Sequence, residues 1–284
     1  MQQVVQEIGE QHLLDGVCGK LSGWVSRVTS QTEVRNALSG TWLGHPLHPV
    51  LTDLPIGAWV MASVVDVAGG RAGARTARRL VGVGLLAAVP TALSGASDWS
   101  SSYGAARRIG FVHAVANATA STLQAASWLA RRRGRRGTGV ALSALGVGCT
   151  LGSAYLGGHL SFVLGVGVNR TAFQEPVTEW TEVAPLSAVS DDSPLRVTAG
   201  GVPVLLVRHK GELCALSATC PHAGGPLDEG KLAEPGCIRC PWHGSTFRLT
   251  DGAVVRGPAA VAAPRWDVRV DDGRVFVRSA RAAG

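Results

Sequence analysis

Apolar residues follow two rhythms along this chain. From about residue 50 to 168 they form runs of helical length, and beyond 168 they alternate with polar residues in short stretches. Crossing a hydrocarbon layer of ~30 Å takes ~20 apolar helical residues. Residues 80–96, LVGVGLLAAVPTALSGA, hold no ionisable group, residues 109–130 hold only His113, and residues 137–168 hold only His159. The weakest run is 50–69, which Asp53 and Asp66 interrupt. Small residues dominate all four runs and permit close helix–helix approach. The competing reading, core helices of a soluble bundle, accommodates uncharged runs of this length poorly. The pattern predicts a four-helix transmembrane domain over 43–168. An N-terminal extension, 1–42, precedes it, with an amphipathic helix near its start. That extension lacks an apolar core and carries scattered charge, so no cleavable signal peptide is expected there.

After residue 168 comes a polar linker, 169–178, and then a different pattern. The stretches VPVLLVRH, ELCALSA, GCIRC, STFRLT, AVVRG and WDVRVDDGRVFVR alternate in character and are separated by turn residues, with Asp-Gly pairs at 251–252 and 272–273. They predict a compact antiparallel β domain over 179–280. The fold class expected is thus α + β multidomain: an N-terminal four-helix transmembrane bundle followed by an all-β domain.

Charge refines this picture. The 284 residues carry a formal net charge of +7, which in another context would suggest nucleic acid. Here nine arginines sit in two clusters, RAGARTARR (71–79) and RRRGRR (131–136), each wedged between apolar runs. Membrane topology accounts for them better, and no nucleic-acid partner is expected. Against those nine, the opposite side offers Arg35, Arg107, Arg108 and Arg170 near the helix ends. By the positive-inside rule the clusters lie in the cytoplasm, and the β domain is extracytoplasmic on a multi-pass protein of the cell membrane. The paired arginines before GTGVALSALGVG are loosely similar to a twin-arginine export signal, which serves folded, cofactor-loaded domains.

The chemistry concentrates in CPHAGGPLDEGKLAEPGCIRCPWHGSTF, residues 220–247. Cys18 and Cys149 stand isolated, so the six cysteines do not form a secreted disulfide framework. The donors run Cys220, His222, then Cys240, His243, as C-x-H and C-x-x-H. Zinc also accepts two Cys and two His, but zinc fingers usually take a Cys pair from one element and a His pair from another. Here each loop supplies one sulfur and one nitrogen. That delivery suits a two-iron cluster, with both thiolates on one iron and both imidazoles on the other.

On these residues the chain, over about 176–280, resembles the Rieske 2Fe–2S family. CPHAGGPL, CPWHGSTF and the later GPA at 257–259 stand where that family has its two ligand loops and a covering loop. The resemblance implies a Rieske-type all-β iron–sulfur domain in which Cys220 and Cys240 hold one iron while His222 and His243 hold the exposed one. Quinol-oxidising members usually carry two further cysteines in a disulfide; Gly225 and Trp242 occupy those positions here. Ser245 is placed to donate a hydrogen bond to a cluster sulfur, while Phe247 stands where a tyrosine donor often sits. Fewer donors imply a potential below that of the quinol-oxidising subunits. Cys214 and Cys237 lie in strand-like sequence and read as core residues.

LGHPLHPVLTDLPIG (43–57) resembles the signature of an uncharacterised bacterial membrane domain of four helices. His45, His48, His113 and His159 come out near one face in that topology, with Asp53 and Asn117 nearby. Each alone reads as an interfacial polar group; together, His48, His113 and His159 are candidates for haem b, another metal or quinone. The function expected is a membrane-anchored Rieske protein carrying one electron at a time, an electron-transfer protein or oxidoreductase subunit. Its partners would be a redox protein or a membrane quinone or haem, within a lipid bilayer. The alternatives are a ferredoxin-type component feeding an oxygenase and a membrane redox sensor. A hydroxylase subunit would need a second iron site, and none of the 41 residues after His243 is a histidine.

Overall fold

A computed structural model describes residues 2–280. The chain forms two units, one of Met1–Gln31 with Pro46–Val166 and the other of Thr32–His45 with Gly167–Gly284. The chain thus passes between the units three times, after Gln31, after His45 and after Val166.

The first unit is helical. Helices α1 (Gln2–Glu10) and α2 (Asp15–Val28) precede four long ones: α4 (Leu47–Ala68), α5 (Ala74–Trp99), α6 (Gly104–Arg132) and α7 (Arg136–Gly158). Helix α7 runs on into a π-helical turn, His159–Val163. With α3 (Thr32–Ser39), which belongs to the other unit, the described residues hold seven α-helices, the four expected over 43–168 and three more before them. The additional three fall within residues 1–42, where the sequence pattern predicted one. They are short, at 9, 14 and 8 residues, and short helices leave little periodic signal.

Among the described residues, three helices are long and apolar enough to cross a membrane: Leu47–Ala68, Ala74–Trp99 and Arg136–Val163. This reverses one expectation, since the run judged weakest qualifies and 109–130 does not. The physical reason lies in where the polar groups of α6 go. Gln124, fully buried, accepts a hydrogen bond from Ser143 Oγ at 3.0 Å and donates to its carbonyl, and Ser127 Oγ donates to the Gly139 carbonyl at 2.6 Å. Helix α6 spends its polar face on α7, which lowers its hydropathy without exposing those groups.

The interruption at Asp66 is likewise satisfied. Its carboxylate faces the Arg131 guanidinium, both side chains only 3% exposed, with Arg131 Nη1 donating to Oδ1 at 2.9 Å. Arg136 adds a bond to the Asp66 carbonyl at 2.9 Å. One residue of the second arginine cluster is therefore an internal counter-ion. Glycines across the bundle receive large side chains: Trp99 against Gly110, Gln124 against Gly146, Arg131 against Gly139. The outer surface carries Leu54, Val67, Leu86, Val89, Leu93, Leu145 and Leu151, all exposed.

The second unit is built on two antiparallel sheets. The larger has the order β1-β10-β9-β4-β3-β2, from strands β1 (Thr181–Pro185), β2 (Leu195–Ala199), β3 (Val202–His209), β4 (Glu212–Ser217), β9 (Arg265–Asp271) and β10 (Arg274–Ser279). The smaller has the order β5-β6-β7-β8, from Lys231–Ala233, Cys237–Arg239, Thr246–Arg248 and Val254–Arg256. The Asp272–Gly273 pair makes the tight β9–β10 turn, with Asp271 opposite Arg274 and both turn residues at positive φ. Beneath the small sheet, Leu205, Leu216, Leu227, Ile238 and Phe247 form a fully buried core that also takes in Cys220 and Cys240. Burying a side chain such as Phe247 contributes about 1.5–3 kcal/mol. That core fixes the base from which the two ligand loops rise.

Candidate metal centre

Two loops with the same hydrogen-bond scheme carry the four donors. In the first, after β4, Cys220 N–H donates to the Gly225 carbonyl at 2.8 Å and Gly224 N–H returns to the Cys220 carbonyl at 2.9 Å. In the second, between β6 and β7, Cys240 N–H donates to the Ser245 carbonyl at 2.8 Å and Gly244 N–H to the Cys240 carbonyl at 3.1 Å. Each loop reverses through a glycine at positive φ, +83° at Gly224 and +73° at Gly244.

These loops bring like donors together. The imidazoles of His222 and His243 have centroids 4.9 Å apart at 84°. The Cys220 and Cys240 side chains share a hydrogen bond. That bond pushes the Cys220 thiol up. It also pulls Cys240 down to about 6, against the opposing effect of burial, with further help from the backbone N–H groups of Trp242 and His243. The His222 and Ala223 amides point at the Cys220 sulfur in the same way. Burial first, then the electrostatic effects of His243, Arg35 and Arg170, push His222 down to about 3. It is therefore a neutral imidazole at neutral pH, the form that ligates metal.

The donor set fits a 2Fe–2S cluster. His222 Nδ1 is buried with no hydrogen-bond partner among the described residues, a costly arrangement for a ring nitrogen that coordination would relieve. Among the described residues no three His, Cys, Asp or Glu side chains gather as for a single metal ion. A sulfur pair and a nitrogen pair, each close within itself, match two irons rather than one zinc.

The surroundings account for the departures noted in sequence. A Cβ built on Gly225 would lie 2.9 Å from Cys240 Sγ and 3.0 Å from the Trp242 ring. Trp242 thus packs where a side chain at 225 would otherwise stand. Ser245, fully buried, accepts the Ala259 N–H at 2.9 Å, which ties the covering loop to the second ligand loop and leaves the hydroxyl proton to donate elsewhere. Phe247 and Cys237 are buried in the core, and Cys214 is partly buried against it. Arg35 and Arg170 near His222, and the four backbone amides on the sulfurs, left no signal in the sequence; no residue spacing encodes either.

In the helical unit the structure brings His48 and His113 together, their rings 6.4 Å apart and edge-on at 83°. Each points Nδ1 at a backbone oxygen, Thr91 at 3.0 Å and Ser153 at 2.8 Å, and Asn117 donates to His113 Nε2 at 3.1 Å. Among the described residues, no ring contact or side-chain hydrogen bond joins His159 to this pair. His45 belongs to the other unit, and Asp53 is exposed.

Residues 179–268 match the model of the Rieske [2Fe-2S] domain, and residues 44–170 match that of a predicted membrane protein domain, DUF2231. The anthranilate 1,2-dioxygenase ferredoxin subunit of Burkholderia cepacia is 30% identical over 101 residues, 36% of this chain and 93% of that protein. Human apoptosis-inducing factor 3 is 38% identical over 87 residues, 31% of this chain and 14% of the relative's length. Among solved structures, the ferredoxin of carbazole 1,9a-dioxygenase from Nocardioides aromaticivorans IC177 is 28% identical, covering 36% of this chain and 100% of that one at a TM-score of 0.35.

Proposed function

The chain belongs to the Rieske [2Fe-2S] family, its iron–sulfur electron-transfer domain following a DUF2231 domain, and on that premise we propose a one-electron carrier anchored in the cell membrane. The cluster, when bound, supplies a single reversible electron. The chain's residues hold it where the two ligand loops meet: Cys220 and Cys240 at the buried end, and His222 and His243, both half-buried, at the end through which a redox partner protein would exchange the electron. The observation that carries this reading is the pairing of like donors above one buried core.

Anchoring rests on the three long apolar helices and on the exposed leucines and valines of the bundle, which lipid would cover. The buried Asp66–Arg131 pair supports the same reading, since ionisable groups in such helices are kept where they find partners. The arginine bias favours an extracytoplasmic Rieske domain, although Arg131 and Arg108 are both engaged internally, Arg108 with Asp15 at 2.7 Å. A reporter fused at the C-terminus, read for side in intact cells, tests the placement; a cytoplasmic reading overturns it.

A second reading, a ferredoxin-type component of an oxygenase, is favoured by one observation: the dioxygenase ferredoxin subunit is matched over nearly its whole length. It requires a cytoplasmic Rieske domain, so the same fusion separates the two. The edge-on His48–His113 pair supports a haem, metal or quinone site in the bundle. Optical spectra and metal analysis of the purified protein test it, and no haem, quinone or metal beyond cluster iron would remove it.

A further inference from the structure

Residues Thr32–His45 precede the membrane runs in sequence yet belong to the β unit. Helix α3 lies against β8 and the loop that follows it. Asn36 grips that loop twice: its Nδ2 donates to the Val255 carbonyl at 3.0 Å, and its Oδ1 accepts the Gly257 N–H at 2.9 Å. Packing is close, since a Cβ built on Gly257 would lie 3.2 Å from Ser39 Oγ and 3.4 Å from Thr41 Cγ2. Two residues on from Gly257, the Ala259 amide holds Ser245 of the second ligand loop. Two hydrogen-bonded anchors, joined by the Gly257–Pro258–Ala259 backbone, therefore link Asn36 through the covering loop to the ligand loop.

The same helix carries Arg35, buried at 5% exposure beside Asn36. Arg170 packs on the first ligand loop, its N–H donating to the Pro221 carbonyl at 2.9 Å and its Cγ 3.9 Å from a Cβ position on Gly224. Both guanidiniums act electrostatically on His222. Reduction adds a negative charge to the cluster. A fixed positive charge beside the histidine-ligated end stabilises the reduced form, and a buried charge is screened little by salt.

We propose that Thr32–His45 is a built-in clamp of the cluster domain, in which Asn36 pins the covering loop while Arg35, with Arg170, sets positive charge beside His222 and raises the midpoint potential. Asn36, Arg35 and Arg170 are positioning and tuning residues, and the proposal rests on the cluster assignment but not on the membrane anchor.

The test uses full-length protein purified in detergent. Asn36→Ala is expected to speed amide exchange in the peptide holding Gly257 and Ala259 about tenfold, a factor that corresponds to ~1.4 kcal/mol of lost protection. Arg35→Met is expected to lower the reduced-to-oxidised ratio at fixed ambient potential about tenfold, or ~59 mV for a one-electron couple, and Arg170→Met, at an exposed position, to lower it by a smaller factor. Arg35→Lys and Arg170→Lys keep the charge and should retain most of the ratio. Raising salt should shrink the effect of the exposed Arg170 and leave that of Arg35. Equal potentials in both Met variants and the unaltered protein, or Lys variants that shift as far as Met variants, overturn the electrostatic half. Unchanged exchange in Asn36→Ala overturns the clamp. Exchange can be read with or without the cluster, and Arg170→Met decides the charge effect should Arg35→Met fail to fold. If the unaltered protein shows no Rieske spectrum, the cluster assignment fails instead, and the two failures stay distinct.

Discussion

Replacing Ser245 by alanine removes one oxygen from two interactions at once. The side chain is fully buried and accepts the Ala259 amide at 2.9 Å. Ala259 is itself 1% exposed, so its N–H would be left buried and unpaired at a cost of about 1–3 kcal/mol. The hydroxyl proton is the other half. Donated to a cluster sulfur, it forms a bond to a charged acceptor, and such bonds contribute about 1.5–3 kcal/mol. The reduced cluster carries one more negative charge and gains more from it. A difference of ~1.4 kcal/mol between redox states is a factor of ten, or ~59 mV at one electron. Ser245→Ala is therefore expected to lower the midpoint by about 60 mV and to reduce thermal stability, while Ser245→Thr keeps the hydroxyl and stays near the unaltered value. The assay is a potentiometric titration of the purified full-length protein, followed by optical and EPR spectra. An intact cluster in Ser245→Ala with an unchanged midpoint would refute the donor role.

Other outcomes follow from the same geometry. Gly225→Ala places a methyl 2.9 Å from Cys240 Sγ, and cluster content per chain, measured as iron and labile sulfide, should fall sharply; normal content would show that Trp242 yields easily. Asp66→Ala leaves Arg131 buried without its carboxylate, a loss of about 3–5 kcal/mol, and should deplete the protein from membranes on immunoblots, whereas unchanged abundance would contradict the buried pair. For Asp267, the hydrogen bond from Arg265, opposed by burial and aided by Arg278, holds the carboxyl below its usual value. Its contribution, about 0.5 kcal/mol for a surface pair, is present above the unfolded carboxylate pKa and is lost as pH falls through the lower folded value. The apparent melting point of Asp267→Asn should thus trail the unaltered protein at pH 7 and converge with it in strong acid; a gap that persists there would contradict the ion pair.

The pairing of like donors was legible because the spacing that delivers them is local. C-x-H and C-x-x-H set one sulfur and one nitrogen on each loop, and the loops fold as a pair around identical backbone bonds. The longer strands β3, β4, β9 and β10 were legible by alternation. Strands β1 and β5 were not: TEVAP ends in proline and KLA spans three residues, too short for a period to show. The partnership of Asp66 with Arg131 was hidden because 65 residues separate them, and the carboxylate alone read as an interruption. Helix α3 was invisible as part of the β unit for the same reason: Asn36 meets Gly257 across 221 positions. Local pattern reports local chemistry; contacts closed by the fold at long range leave no spacing to read.

The central claim is a two-iron cluster held by Cys220 and Cys240 on one side and His222 and His243 on the other. It is tested most directly by anaerobic purification of the whole protein, with iron and acid-labile sulfide quantified and pulsed EPR read for imidazole nitrogens in the reduced state. The account predicts iron and sulfide in equal amount, coupling to two histidine nitrogens, and loss of the signal in Cys220→Ser. Zinc without labile sulfide would contradict it.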